Sequence, residues 1–159
     1  MNLNRAVFLD RDGVIIKEVH YMRRPDQLKL IAGAAGAIAR LRHARFKVIV
    51  VSNQSGVARG YVTRSGVERI HRELRRRFTL KGAKIDAIYY CPHHPLFGKA
   101  CRCRKPALGM LRAAQRRFRL DLTASFLVGD TTTDIRAAKN AGCRSVLVRS
   151  GYGGKDGKY

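Results

Sequence analysis

Acids are scarce in this sequence. Its 159 residues carry 11 Asp and Glu against 33 Lys and Arg, a formal net charge of +22. Such a balance draws anions, from small phosphates to nucleic acids, and any acid at the end of an apolar run then asks for a reason. No apolar run approaches the roughly 18 to 20 residues of a membrane span, so no membrane partner is expected. The first apolar stretch is cut short by Asp10; there is no signal-peptide pattern, and the cytoplasm is the expected compartment. No internal repeat and no linker is visible, and the length suits one domain with a real core rather than two. Interleaved exposed aromatics of the kind used to bind single-stranded nucleic acid are missing. The densest basic run, Arg72 to Phe78, falls where Val67, Ile70, Leu74 and Phe78 recur at helical spacing, so its arginines read as a solvated helix face. A nucleic-acid partner is therefore not expected, and His43 and His71, within basic helices, read as surface residues.

What is present alternates. AVFL, KVIVVSN, AIYYC, SFLVGD and SVLVR are short apolar runs that read as buried strands. Helical segments separate them. AGAAGAIARLRHA precedes the second strand. TRSGVERIHRELRRRF, with Thr63 as N-cap, precedes the third. PALGMLRAAQRRF has Pro106 in its first turn, and TTDIRAAKNAG ends at Gly142 as C-cap. Alternation of this kind predicts right-handed crossovers and a parallel sheet covered on both faces: an α/β, Rossmann-like three-layer sandwich of five or more strands, without a large cap domain. Residues 1–150 form the expected single domain, and the Gly-rich stretch 151–159 is expected to be a flexible tail.

In such a fold, ligands bind beyond the carboxyl ends of the strands. Asp10 and Asp12 follow the first strand. Ser52, Asn53, Gln54 and Ser55 follow the second, and Asp130 and Asp134 flank three threonines after the fourth. Carboxylates at Asp10 and Asp130, brought together, repel unless a cation lies between them, and Mg²⁺ prefers such oxygen ligands. Asp10 could attack phosphorus as a nucleophile, and Asp12 could protonate the leaving alcohol and then activate water. Ser52 and nearby N–H groups could hold phosphate oxygens, with Lys105 as the cation that stabilises them. Any one of these acids could equally be a cap or turn residue; the set in this strand order points to phosphoryl transfer.

FLDRDGV, VSNQSGVARG, CRKPALGML and VGDTTTDIRAA resemble, in order, the four motifs of the haloacid dehalogenase superfamily of phosphatases. YYCPHHP followed by CRCRKP resembles, more narrowly, its subfamily IIIA, in particular the D-glycero-D-manno-heptose 1,7-bisphosphate 7-phosphatases, with histidinol-phosphate phosphatases as close relatives. The resemblance runs from about Ala6 to Ser150. It implies the superfamily's fold, Asp10 as nucleophile, Asp12 as general acid and base, and Mg²⁺ held by Asp10, the Asp12 carbonyl and Asp130. It implies Ser52 and Lys105 as stabilisers of the phosphoryl group. Arg104 would select the substrate, and contacts with it would extend over Arg11, Glu18 to Tyr21 including His20, and Asn53, Gln54 and Ser55. Thr131 stands where members often carry Lys, and members commonly run on beyond the fifth strand. The expected activity is removal of the 7-phosphate of a heptose bisphosphate by a monomer, on the route to surface polysaccharide. The alternatives are a histidinol-phosphate or other small-molecule phosphatase and, from the charge alone, a phosphatase acting on nucleic-acid ends.

Four cysteines complete the reading. Cys91, His93, Cys101 and Cys103 form a C-x-H and C-x-C set within 13 residues. Three thiolates and an imidazole suit tetrahedral Zn²⁺ with no open position; reduced cysteines without a ligand role, or a disulfide in a secreted protein, are the alternatives. The resemblance implies zinc, in a loop over residues 91–103 that would position Arg104 and Lys105. His94 is not expected to be a ligand, and Cys143 reads as a small core residue.

Overall fold

The structure is a computed structural model and describes residues 3–98 and 100–158. Lys99 of the expected metal loop and Tyr159 of the expected tail lie outside the described residues. Five parallel strands form one sheet: β1 (Ala6–Leu9), β2 (Lys47–Asn53), β3 (Ala87–Cys91), β4 (Phe126–Gly129) and β5 (Arg144–Leu147), in the order β3-β2-β1-β4-β5. Four helices connect them: α1 (Ala34–His43), α2 (Arg64–Leu80), α3 (Gly109–Phe118) and α4 (Thr132–Ala141). This is the three-layer α/β sandwich that the alternation predicts, with no second domain inserted among the described residues.

Strand periodicity explains the layers. Ala6 and Phe8 of β1, with Ile49 and Val51 of β2, face a core completed by Met110, Leu111 and Ala114 of α3 and Ala137 and Ala138 of α4. Val7, Leu9, Val48 and Val50 face the other way, onto Ile38 of α1 and Ile70, Leu74 and Phe78 of α2. Successive side chains of a strand point to opposite faces, so a sheet covered on both sides needs the continuous apolar runs that β1 and β2 have.

Thr63 caps α2, its side chain accepting from the Gly66 N–H, and Gly142 closes α4 at φ 74°. Three expectations change. Pro106 does not sit in the first turn of α3, which begins at Gly109. The Gly109 N–H donates to Arg102 O at 2.7 Å and the Ala107 N–H to Arg104 O at 2.8 Å, so the chain after Pro106 turns back on itself before the helix starts. β5 is not buried: it is the sheet's last strand, exposed along its length, with Val146 and Leu147 42% and 47% accessible. His71 is not a surface residue, being 7% exposed on the inner side of α2. Its position is Val67 plus four, within the same apolar stripe.

The order of the strands places the site. β1 is central; the chain moves from it outward through β2 and β3, then crosses to β4 on its other side. The reversal leaves a crevice beyond the carboxyl ends of β1 and β4. The sheet's burial pattern makes a clear contrast testable by denaturant unfolding. Leu127→Ala, at a fully buried position of β4, should cost about 2–5 kcal/mol. Val146→Thr, on exposed β5, should stay within about 0.5 kcal/mol.

Candidate active site

The crevice is lined by Asp10, Arg11, Asp12, Glu18, His20, Tyr21, Ser52, Asn53, Gln54, Ser55, Arg104, Lys105, Asp130 and Asp134, among others. Every catalytic and substrate-contacting position expected from the sequence therefore borders one space, although the side chains do not all point into it.

At its floor sits a buried ammonium between carboxylates. Lys105 Nζ lies 3.0 Å from Asp10 Oδ1 and 2.6 Å from Asp134 Oδ1, and donates to Val51 O at 2.8 Å. Burial works against the charge on Lys105, but Asp10 and Asp134 overcome it and the ammonium is held above its ordinary range. For Asp10, burial is the largest influence and Lys105 opposes it; with Asp134 and Asp12 also pushing upward, its carboxyl rises to about 8. A single ammonium thus leaves this group of acids short of positive charge.

The cation-binding character of the place is visible in its atoms. Carboxylate oxygens of Asp10, Asp130 and Asp134 lie within 4.8 Å of one another. Asp130 is 1% exposed, and its Oδ1 is buried with no hydrogen-bond partner. Its Oδ2 accepts from the Tyr152 N–H at 2.8 Å, and its carbonyl from the Gly154 N–H at 2.7 Å. Gly13, at φ 77°, and Gly151, at φ 62°, stand against the Asp130 carboxylate, where a Cβ on either would clash. An orphaned carboxylate oxygen beside a second acid fits a hard divalent cation, and the two glycines let the backbone close on the carboxylate's other oxygen.

Asp12 is held separately. Arg11 Nε and Nη2 donate to its two oxygens at 3.0 Å each, and Gln54 Nε2 donates to Oδ2 at 2.9 Å. The guanidinium of Arg11 is 1% exposed, and its remaining contacts are Gln54 Oε1 at 2.8 Å and His71 Nε2 at 3.1 Å. The Arg11 side chain serves Asp12, while the residue itself borders the crevice. Gln54 likewise spends its amide on Asp12 and on Ser52 Oγ, 2.7 Å away. Asn53 clasps the backbone of Lys105, donating to its carbonyl at 3.1 Å and accepting from its N–H at 3.0 Å. His20, Tyr21 and Ser55 stand along the wall, with Tyr21 edge-on to His20 and Tyr61. Arg104 donates to His93 O at 3.1 Å.

That last contact ties the crevice to the cysteine loop. Cys91 Sγ lies 3.5 Å from Cys101 Sγ and 3.0 Å from Cys103 Sγ; Cys101 and Cys103 are 3.4 Å apart. His93 Nδ1 is 3.2 Å from Cys103 Sγ and 3.7 Å from Cys91 Sγ. Bonds of the usual zinc length give tetrahedron edges of roughly 3.5–3.8 Å, so the four atoms are gathered slightly more tightly than a bound zinc would set them. No disulfide joins any of the four cysteines, and His94 instead accepts from the Leu96 N–H.

Three contributions escaped the sequence reading. Asp134 was read only as a strand-end acid, yet it is fully buried on Lys105 and in a reciprocal capping box with Thr131. The Thr131-x-x-Asp134 spacing carries that signal. His71 reaches Arg11 from α2. Residues 150–156, expected in the main to be a loose tail, instead cross the crevice: Ser150 Oγ donates to Gly13 O at 2.6 Å, and Asp156 accepts from Thr132 N at 2.7 Å and Thr132 Oγ1 at 2.9 Å.

Comparison with known proteins gives consistent results. Residues 102–157 match the family described as HAD-hydrolase-like. A D-glycero-D-manno-heptose-1,7-bisphosphate 7-phosphatase from Thermosynechococcus vestitus is 43% identical over 165 residues, covering 97% of this chain and 84% of its own. The D-glycero-beta-D-manno-heptose-1,7-bisphosphate 7-phosphatase of Escherichia coli K12 is 40% identical over 153 residues, covering 92% and 80%. A crystal structure of the D,D-heptose 1,7-bisphosphate phosphatase from B. bronchiseptica, complexed with magnesium and phosphate, superposes with a TM-score of 0.86 at 39% identity, covering 94% of this chain and 83% of that one.

The glycine pair makes the cation site testable. Gly151→Ala, whose Cβ would press on Asp130 Oδ2 and the Gly13 backbone at a left-handed φ, should weaken Mg²⁺ binding by about 10–100-fold, the usual loss when a ligand's supporting partner is disturbed, and should also lower the unfolding midpoint through local strain. Titration of bound Mg²⁺ by calorimetry checks this; an unchanged affinity would place the cation elsewhere.

Proposed function

The chain belongs to the D-glycero-D-manno-heptose-1,7-bisphosphate 7-phosphatases within the haloacid dehalogenase-like hydrolases, and from that premise we propose that it removes the 7-phosphate of D-glycero-D-manno-heptose 1,7-bisphosphate. The observation that carries the reading is the meeting of Asp10, Asp12, Ser52, Lys105 and Asp130 in one crevice. No helix is long and apolar enough to cross a membrane among the described residues.

Asp10 is the nucleophile. Lys105 holds its Oδ1, leaving the other oxygen to attack phosphorus as the bond from phosphorus to the sugar oxygen breaks. Asp12 gives its proton to that departing oxygen. In the second half Asp12, now a carboxylate, takes a proton from the water that attacks the aspartyl-phosphate. Phosphate leaves, and Asp10 and protonated Asp12 are restored. Ser52 and Lys105 face the charge that builds on the phosphoryl oxygens. Mg²⁺, which Asp10, Asp130 and the Asp12 carbonyl would hold, supplies the positive charge needed for a phosphate to approach several acids. Asp134 acts through Lys105, which it holds in place.

Cys91, His93, Cys101 and Cys103 would hold a structural Zn²⁺: soft thiolates select zinc where the crevice's carboxylates select magnesium. The loop so held would keep Arg104 and Lys105, the next two residues, at the edge and floor of the crevice. Arg104, with His20, Tyr21 and Ser55, meets the sugar or its second phosphate.

Two measurements test this reading. Asp10→Asn should abolish turnover of the heptose bisphosphate at saturating Mg²⁺ while circular dichroism stays as in the wild type. Activity near the wild-type level would remove the aspartyl-phosphate route. Purified protein should carry about one Zn²⁺ per chain, and the double change Cys101→Ser with Cys103→Ser should lose both the zinc and most of the activity but keep the sheet. Elemental analysis and circular dichroism report these, and a fully active, zinc-free double variant would make the cysteines incidental.

A further inference from the structure

We propose that His71 is a positioning residue for the reaction, holding Asp12 in its proton-transferring orientation through Arg11. The proposal rests on the reading of Asp12 as general acid.

Arg11 is anchored at three corners. Its Nε and Nη2 grip both oxygens of Asp12, Nη2 also reaches Gln54 Oε1, and Nη1 has His71 Nε2 at 3.1 Å. A guanidinium has donors and no acceptor, so His71 must offer a lone pair at Nε2 and carry its proton on Nδ1. The surroundings favour this neutral form. Burial, then the charges of Arg11 and Arg75, push the imidazole down to about 3. The ring meets Tyr90 of β3 edge-on, with centroids 5.3 Å apart, which fixes its plane. A relay of contacts thus runs from β3 through α2 to the loop after β1 and ends on the acid.

Removing the acceptor at His71 leaves Nη1 of a 1% exposed arginine without its partner. An unpaired buried donor is costly, so the guanidinium turns to recover a bond and loosens its two-pronged hold on Asp12. Misplaced acid hurts most where the leaving oxygen needs a proton. An alkoxide needs one; a p-nitrophenolate does not. The quantity kcat/KM covers only the steps up to loss of the alcohol, so it isolates the half-reaction in which Asp12 acts as acid.

The experiment measures kcat/KM for the wild type, Asp12→Asn, His71→Phe and His71→Gln on three substrates. Two are alkyl phosphates, heptose 1,7-bisphosphate and histidinol phosphate; the third is p-nitrophenyl phosphate. Asp12→Asn should depress the alkyl substrates far more than the aryl one, by about the 10²–10⁴-fold that general acid–base catalysis contributes. His71→Phe should shift the alkyl-to-aryl ratio in the same direction by about 10-fold, a part of that contribution. His71→Gln, whose Oε1 can accept from Nη1, should return the ratio towards the wild type. Equal losses on all substrates in His71→Phe, or no loss, would overturn the proposal and leave His71 a packing residue. An unshifted ratio in Asp12→Asn would overturn it differently, by removing the acid role on which it rests. If His71→Phe does not fold by circular dichroism, His71→Met carries the same comparison.

Discussion

A buried ammonium shared by two acids is the interaction on which the site depends. Lys105 holds Asp10 and Asp134 together in a place where both carboxylates are largely shut off from water. Such an arrangement holds only if the ammonium cannot swing away, and three parts of the chain see to that. Val51 O accepts from Nζ at the end of β2, the Asn53 side chain clasps the Lys105 backbone, and Asp134 is fixed at the N-terminus of α4 by its capping box. The desolvation cost of a buried ion is offset only when its geometry and remaining bonds are complete. The cluster therefore serves as a fixed electrostatic frame, with Asp10 and Lys105 presented to the crevice and Asp134 buried behind them.

Asp12 is held by a different device. Its partners come from Arg11, Gln54 and, through Arg11, His71, none of which touches Lys105 in the contacts above. The two acids of the Asp10-Arg11-Asp12 stretch thus answer to separate networks although one residue lies between them. The chain makes this possible by leaving the strand after Leu9 and turning, with the N–H groups of Ile15 and Ile16 donating back to Arg11 O, so that Asp12 is carried away from the line of β1. Nucleophile and proton carrier can be tuned independently in such an arrangement, one by an ammonium and the other by a guanidinium.

Much of this was legible in the sequence. β2 and β3 coincide with the KVIVVSN and AIYYC runs, because strands buried in a parallel sheet read as continuous apolar segments. The acids at the ends of β1 and β4 were legible too, since an α/β sheet makes strand ends informative. The misses have both local and long-range causes. Pro106 looked like a helix start until the chain was seen to fold back on Arg102. SVLVR looked buried because its composition is, while its exposure follows from being last in the sheet. His71 lay in the apolar stripe of α2, but its charge-rich neighbours masked the period. The glycines after Ser150 read as looseness, whereas Gly151 and Gly154 supply left-handed turns that let the backbone reach Asp130.

The bond from Ser150 Oγ to Gly13 O spans 137 positions of the chain. It brings a late segment against the loop that follows the first strand, and the same segment supplies the N–H groups that fix Asp130. Order of synthesis then matters. A nascent chain can pair its first four strands and bury most of its core while the cation cradle is still open, because the residues that close it have yet to leave the ribosome. Closing the cradle is thus a long-range step that the pairing of those strands does not itself require.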